Sequence, residues 1–226
     1  MKAFFTGLVV FLIIQFEFAG LLHFQLQIIE ETNKLIQTYD QQLDDYIMEA
    51  SASVVLVQKL NLHGSGTGFF IKAPSGKIFT LTNKHICTMG ETVFITVQGI
   101  TSIQRVISSS ATTDLCIMSA PEKAVPLSFA KGLRNNETIF ILGWPLGETL
   151  SLLKGRFAGN LFVPFSPTEV YAAGVATLGS LPGNSGSPVM NTKREVVGII
   201  FAGRGDGPGR GYFLPLTEII SFLSDK

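Results

Sequence analysis

The spacing of apolar and polar positions divides the chain into three stretches. Ala3 to Ile14 carries no charged residue, and the apolar run continues through Phe16 and Phe18 to Leu22, broken by Gln15 and Glu17. Lys2 precedes it, and Glu30 and Glu31 follow. A stretch of about 20 residues is long enough to span a bilayer. Residues 1–22 therefore read as a signal-anchor, with a cleaved signal peptide as the alternative and a buried apolar helix as a third reading. Both membrane readings place the rest of the chain outside the cytoplasm, anchored in the cell envelope or secreted, because the positive charge stays inside. Next, Leu22, Leu26, Ile29, Asn33, Ile36, Asp40, Leu43 and Ile47 follow one another in steps of four and three. That spacing predicts an amphipathic helix over 23–51 with a heptad seam interrupted by two polar residues. Such a helix makes either a short coiled coil, giving a homo-oligomer through residues 22–50, or a spacer packed on the main domain.

From Ala52 the texture changes again. β-branched and aromatic runs appear at 54–60, 68–72, 78–82, 92–97, 115–119, 138–142, 169–173 and 196–202, separated by Gly, Pro, Asn and Ser. Many short strands with frequent turn signals predict an all-β antiparallel barrel or sandwich. Leu216 to Leu223, with Ile219, Ile220 and Leu223, reads as a closing helix. No internal repeat interrupts the pattern.

Composition narrows the function classes. Among 226 residues there are 23 glycines, and 15% of residues are charged, which describes a folded chain with a core. Net charge is zero and the sequence pI is near 6.8, so no basic field recruits nucleic acid. The two cysteines, Cys87 and Cys116, are too far apart for a CxxC redox or zinc motif. They read as two buried free thiols, or as one disulfide if the domain meets an oxidising compartment. No metal or cofactor is expected.

The strongest chemical signal is Gly183-Asn184-Ser185-Gly186-Ser187-Pro188. A serine presented between glycines on a turn is placed to act as a nucleophile, with backbone N–H groups beside it for a developing oxyanion. It needs a base, and the base needs a carboxylate to hold it. His23 lies in the apolar N-terminal region, and His63 precedes a glycine-rich loop. His85 is expected to end and cap the strand Ile78 to Asn83, where its side chain can be held over a cleft. Asp114 stands at the mouth of the apolar run Leu115-Cys116-Ile117-Met118, well placed to orient an imidazole.

The order His85, Asp114, Ser185, with Gly64-Ser65-Gly66-Thr67-Gly68-Phe69 before the histidine, resembles the trypsin-like (chymotrypsin-fold) serine peptidases, over about residues 52 to 224. Leu81-Thr82-Asn83-Lys84-His85-Ile86 and Gly183 to Val189 are similar to the glutamyl endopeptidase group. Pro182 to Gly186 and Leu142-Gly143-Trp144-Pro145-Leu146-Gly147 resemble the HtrA/Deg group, whose usual PDZ domains are not expected here. The resemblance implies two antiparallel six-stranded β-barrels, at about 52–128 and 129–215, then a helix at 216–224. It implies His85 as general base and acid, Asp114 as its orienting partner, Ser185 as nucleophile, and the N–H groups of Gly183 and Ser185 as oxyanion hole. The implied activity is serine endopeptidase action on polypeptides; a protease-fold binding or chaperone module and a membrane-tethered assembly scaffold are the alternatives.

Departures from the family patterns also carry information. Asn184 stands where animal digestive members have an aspartate that pairs with a newly cut N-terminus, so that route of activation is not expected. By the same resemblance the primary pocket is formed by Gly179, Ser180, Ile200, Phe201, Ala202, Gly203 and Gly211. None is charged, which predicts a small or medium apolar P1 residue. The Arg204 to Gly211 loop contains Arg-Gly-Asp, but its glycine-rich setting reads better as a mobile rim of the cleft.

Overall fold

A computed structural model describes residues 2–59, 64–87, 92–166, 169–204 and 209–226. The first two stretches of the sequence form one element, helix α1 (Lys2–Ser51). No proline interrupts it. Lys34 pairs with Glu30 one turn earlier at 2.9 Å, and the Thr32 and Thr38 hydroxyls donate to carbonyls four residues back. Among the described residues no helix is long and apolar enough to cross a membrane. The bilayer-spanning reading of residues 1–22 is therefore not supported by the described residues. The chain divides into two compact units, Met1–Tyr46 and Ile47–Lys226.

The second unit is two closed antiparallel barrels of six strands each. The first is built from β1 (Val54–Lys59), β2 (Ser65–Lys72), β3 (Ile78–Thr82), β4 (Thr92–Val97), β5 (Ile100–Ser109) and β6 (Cys116–Met118), closed in the order β1-β2-β3-β6-β5-β4. A four-residue helix, α2 (Lys84–Cys87), follows β3. The second barrel uses β7 (Thr138–Gly143), β8 (Ser151–Ser166), β9 (Glu169–Ala176), β10 (Pro188–Met190), β11 (Val196–Arg204) and β12 (Arg210–Pro215), closed as β10-β11-β12-β9-β8-β7. Helix α3 (Leu216–Leu223) ends the fold and buries Ile219 and Leu223 while Ile220 stays exposed.

Each barrel encloses its own core. Val55, Val57, Phe70, Val93, Ile95 and Met118 fill the first. Ile139, Ile141, Val189, Val197 and Phe213 belong to the second. These are the inward positions of strands with period-two side-chain alternation.

Four strands lack a clear signature in the sequence, each for a physical reason. β5 (ITSIQRVISS) presents Ile103 and Ile107 outward, so its hydrophobic pattern does not mark a core face. β8 contains two glycines and a proline, β12 a glycine and a proline, and β10 has three residues. Two expectations require correction. His85 does not cap a strand; it lies in α2, because the Asn83 carbonyl accepts the N–H groups of Ile86 and Cys87 at 3.2 and 3.3 Å and turns the chain into one helical turn. Cys87 and Cys116 are not free thiols but a buried disulfide. Cys116 pairs with Thr82 across β6 and β3, and the turn after Thr82 brings the Cα of Cys87 to 6.4 Å from that of Cys116. His63 and residues 205–208 of the glycine-rich loop lie outside the described residues.

Candidate active site

Asp114 is positioned by the turn before β6. The Ser110 hydroxyl accepts the N–H groups of Thr112 and Thr113 at 3.2 and 3.1 Å, and the Ser110 N–H donates to the Leu115 carbonyl at 2.8 Å. This serine-anchored turn delivers Asp114 to the barrel wall. The buried Asn83 side chain fastens it from the other side, donating to the Asp114 carbonyl at 3.0 Å.

The Asp114 side chain is 3% exposed and meets His85 twice. One carboxylate oxygen accepts the His85 backbone N–H at 2.9 Å; the other lies 2.7 Å from Nδ1. A carboxylate gripping both the backbone and Nδ1 fixes the imidazole plane and keeps the proton on Nδ1, which leaves Nε2 as the nitrogen able to act as a base. The His85 side chain remains 35% exposed, so the ring has a wet face. Among the described residues Asp114 is the only buried residue with a formally charged side chain.

Ser185 sits on the turn between β9 and β10. It is half-buried while Gly183, Asn184, Gly186 and Ser187 around it are buried. Two glycines shape the turn. Gly183 has φ +92° and Gly186 φ +87°, conformations that side chains bearing Cβ rarely adopt. A Cβ on Gly183 would fall 2.4 Å from the Trp144 carbonyl oxygen, and one on Gly186 1.9 Å from that of Thr67.

The first barrel reaches this turn through β2. Thr67 N–H donates to the Ser185 carbonyl at 2.8 Å. Gly66 lies between the residue after His85 and Ser185: a Cβ there would meet Ile86 Cδ1 at 2.8 Å and the Ser185 carbonyl oxygen at 3.1 Å. The strand carrying Thr67 thus brings the histidine turn and the serine turn to one seam between the barrels.

The residues expected to wall a primary pocket are distributed unevenly. Ile200 is fully buried in the second barrel's core, and Phe201 packs edge-on against Tyr171 with centroids 5.7 Å apart. Gly203 pairs with Gly211 across β11 and β12. Its position abuts Ser180: a Cβ on Gly203 would lie 2.5 Å from the Ser180 Cβ. Gly209 is as tight against Gly179, with 2.4 Å from its hypothetical Cβ to the Gly179 Cα. The two walls touch, and none of these residues is charged.

Sequence reasoning assigned no role to Thr67, Asn83, Trp144 or Leu146. All four lie in motifs it singled out, Gly-Ser-Gly-Thr-Gly, Thr-Asn-x-His and Gly-Trp-Pro-Leu-Gly, but their contacts join segments distant in the chain: Thr67 and Trp144 meet across the barrels, Asn83 reaches Asp114 and Leu146 reaches Pro182.

An aspartate-oriented histidine and a serine on a glycine turn, at the seam of two six-stranded barrels, define the architecture of a chymotrypsin-like peptidase. Residues 66–199 match the trypsin-like peptidase domain family, and the chain belongs to it. The chain is 27% identical over 169 residues to the serine protease Do-like HtrA of Bacillus subtilis. It is 30% identical over 167 residues to the putative serine protease HhoA of Synechocystis. Each match covers 69% of this chain but only 38% and 41% of the relatives, so the chain spans less than half of their length. Among solved structures, the active form of the Rv3671c protease from M. tuberculosis superposes with a TM-score of 0.68 at 21% identity, covering 77% of this chain and 81% of that one. The serine endoprotease of Yersinia pestis superposes at 0.64 with 20% identity, covering 83% and 67%. These structures share the fold.

Proposed function

We propose that the chain is a serine endopeptidase that cleaves polypeptides by acyl transfer through Ser185. The observation that carries this is the double hydrogen bond between Asp114 and His85, at the seam that also holds the Ser185 turn. His85 Nε2 takes the Ser185 Oγ proton as Oγ attacks the scissile carbonyl. The ring then becomes cationic and is stabilised by Asp114. The carbonyl oxygen, now negative, is received by the N–H groups of Gly183 and Ser185. The protonated imidazole passes its proton to the leaving amine, and a water deprotonated by the same Nε2 hydrolyses the acyl-enzyme.

The contact of Gly203 with Ser180 supports a shallow primary pocket and a small P1 residue such as alanine. The buried disulfide supports a location outside the reducing cytoplasm. The heptad seam of α1 supports self-association: Leu22, Leu26, Ile29 and Ile36 are all exposed along it.

Two measurements on the purified chain test the proposal together: labelling by a fluorophosphonate probe and casein cleavage. The wild type is expected to do both, and Ser185→Ala neither. Labelling that persists in Ser185→Ala overturns the nucleophile assignment. Casein binding without cleavage by the wild type favours a binding module instead.

A further inference from the structure

We propose that Thr67, a residue of the first barrel, is a positioning residue for the oxyanion hole of the second; this rests on the reading of Gly183 and Ser185 as that hole. Thr67 is fully buried, and every polar group it has is used. Its N–H donates to the Ser185 carbonyl at 2.8 Å, and its carbonyl accepts the Thr82 hydroxyl at 2.7 Å. Its own hydroxyl donates to the Gly183 carbonyl at 2.8 Å and accepts the Trp144 N–H at 2.9 Å.

The consequence follows from peptide geometry. In a planar trans peptide the C=O and N–H point in opposite directions. The N–H of Gly183 belongs to the Pro182–Gly183 peptide, whose carbonyl is held by the Leu146 N–H at 2.7 Å. That bond turns the Gly183 N–H away from the 144–147 loop. The next peptide, Gly183–Asn184, is held by its carbonyl on the Thr67 hydroxyl, and the Ser185–Gly186 peptide by its carbonyl on the Thr67 N–H. Between these fixed planes stands a glycine at φ +92°, a residue with little rotational preference of its own. The orientation of the N–H is therefore set by its neighbours' hydrogen bonds.

Thr67 also links the two anchors. The Trp144 N–H occupies a lone pair of Oγ1, which directs the hydroxyl proton to Gly183; Trp144 begins the loop whose Leu146 holds Pro182. A β-branched side chain with few χ1 choices suits this two-way contact.

The test compares Thr67→Ser with Thr67→Ala in the full chain, since both lose the methyl group and only one keeps the hydroxyl. Thr67→Val serves as the isosteric control. With a small-P1 peptide substrate, Thr67→Ala and Thr67→Val are expected to lower kcat by about 10- to 100-fold with KM changed less than about two-fold. Thr67→Ser is expected to recover most of kcat. Inhibition by a peptide aldehyde, whose hemiacetal oxygen occupies the hole, should weaken by a similar factor in the alanine and valine variants. If all three variants keep wild-type kcat and aldehyde affinity, Thr67 positions nothing and the peptidase reading stands. If Thr67→Ser and Thr67→Ala are equally impaired, the hydroxyl is not the positioning group. If the wild type itself neither cleaves nor takes the fluorophosphonate, the underlying peptidase reading has failed first.

Discussion

Cys87 and Cys116 are joined, and each lies two residues after one member of the His85–Asp114 pair. The disulfide therefore runs beside the two hydrogen bonds of that pair and ties the same two segments, α2 and the start of β6. α2 is a single turn with little packing area of its own, so a covalent link limits how far the His85 backbone can drift from Asp114.

Removing that link should affect both stability and turnover. For cysteines separated by 29 residues the loop-closure estimate is about 3–4 kcal/mol. Replacing both by serine, or unfolding under strong thiol reductant, should lower Tm by several degrees or more. In the fraction that stays folded, kcat should fall while KM holds. A variant with wild-type kcat at a temperature where it is fully folded would show that the disulfide serves stability alone.

Asn184 presents the opposite case, a buried neutral amide next to the proposed nucleophile. It is 1% exposed, and among the described residues no lysine or arginine is buried to receive a carboxylate there. Asn184→Asp should destabilise the protein by about 3–5 kcal/mol at neutral pH. Burial raises the introduced carboxyl's proton affinity in the folded state above that of the unfolded chain. The penalty is therefore full only above the raised folded-state value, shrinks as pH falls below it, and vanishes below the unfolded value of about 4. Denaturation midpoints at neutral and mildly acidic pH check this; a variant as stable as wild type at neutral pH would reveal a compensating cation.

The close approach of Gly203 to Ser180 bears on the proposed preference for a small P1 residue. Ser180→Gly removes the Cβ that lies 2.5 Å from where a Gly203 side chain would begin. Turnover of leucine or phenylalanine P1 substrates relative to alanine should rise by about 10-fold or more, the scale set by a methylene or two in a pocket. An unchanged P1 profile, or a wild-type profile dominated by glutamate or arginine, would place the specificity elsewhere.

The seam on α1 predicts assembly. Leu26, Ile29 and Ile36 are each more than half exposed. Sedimentation of the full chain should find an oligomer at micromolar concentration, and Leu26→Ser with Ile29→Ser and Ile36→Ser should leave a monomer with its peptidase activity retained. A wild-type chain that sediments as a monomer removes the idea.

Much of the fold was legible in order along the chain. Ile78–Thr82, Thr92–Val97 and Leu216–Leu223 are bounded as the pattern of apolar residues and breakers predicts, because their side chains meet their own barrel or cap it. β5 and β8 were not legible: one carries apolar residues outward, and the other includes breakers that a long hairpin tolerates when its partner strand is in place. The α2 turn escaped notice because four residues are too few to show a helical period.

The sequence by itself determined the chemistry on offer: which serine, histidine and aspartate are available, that the serine turn requires glycine, and that no charge lines the expected pocket. Tertiary structure decided what those groups contact. Whether two cysteines bond, whether Thr67 reaches Gly183, 116 residues away, and whether Gly203 meets Ser180 are all set by barrel closure and barrel–barrel packing. Such contacts follow from strand order and register, which local spacing along a chain does not encode.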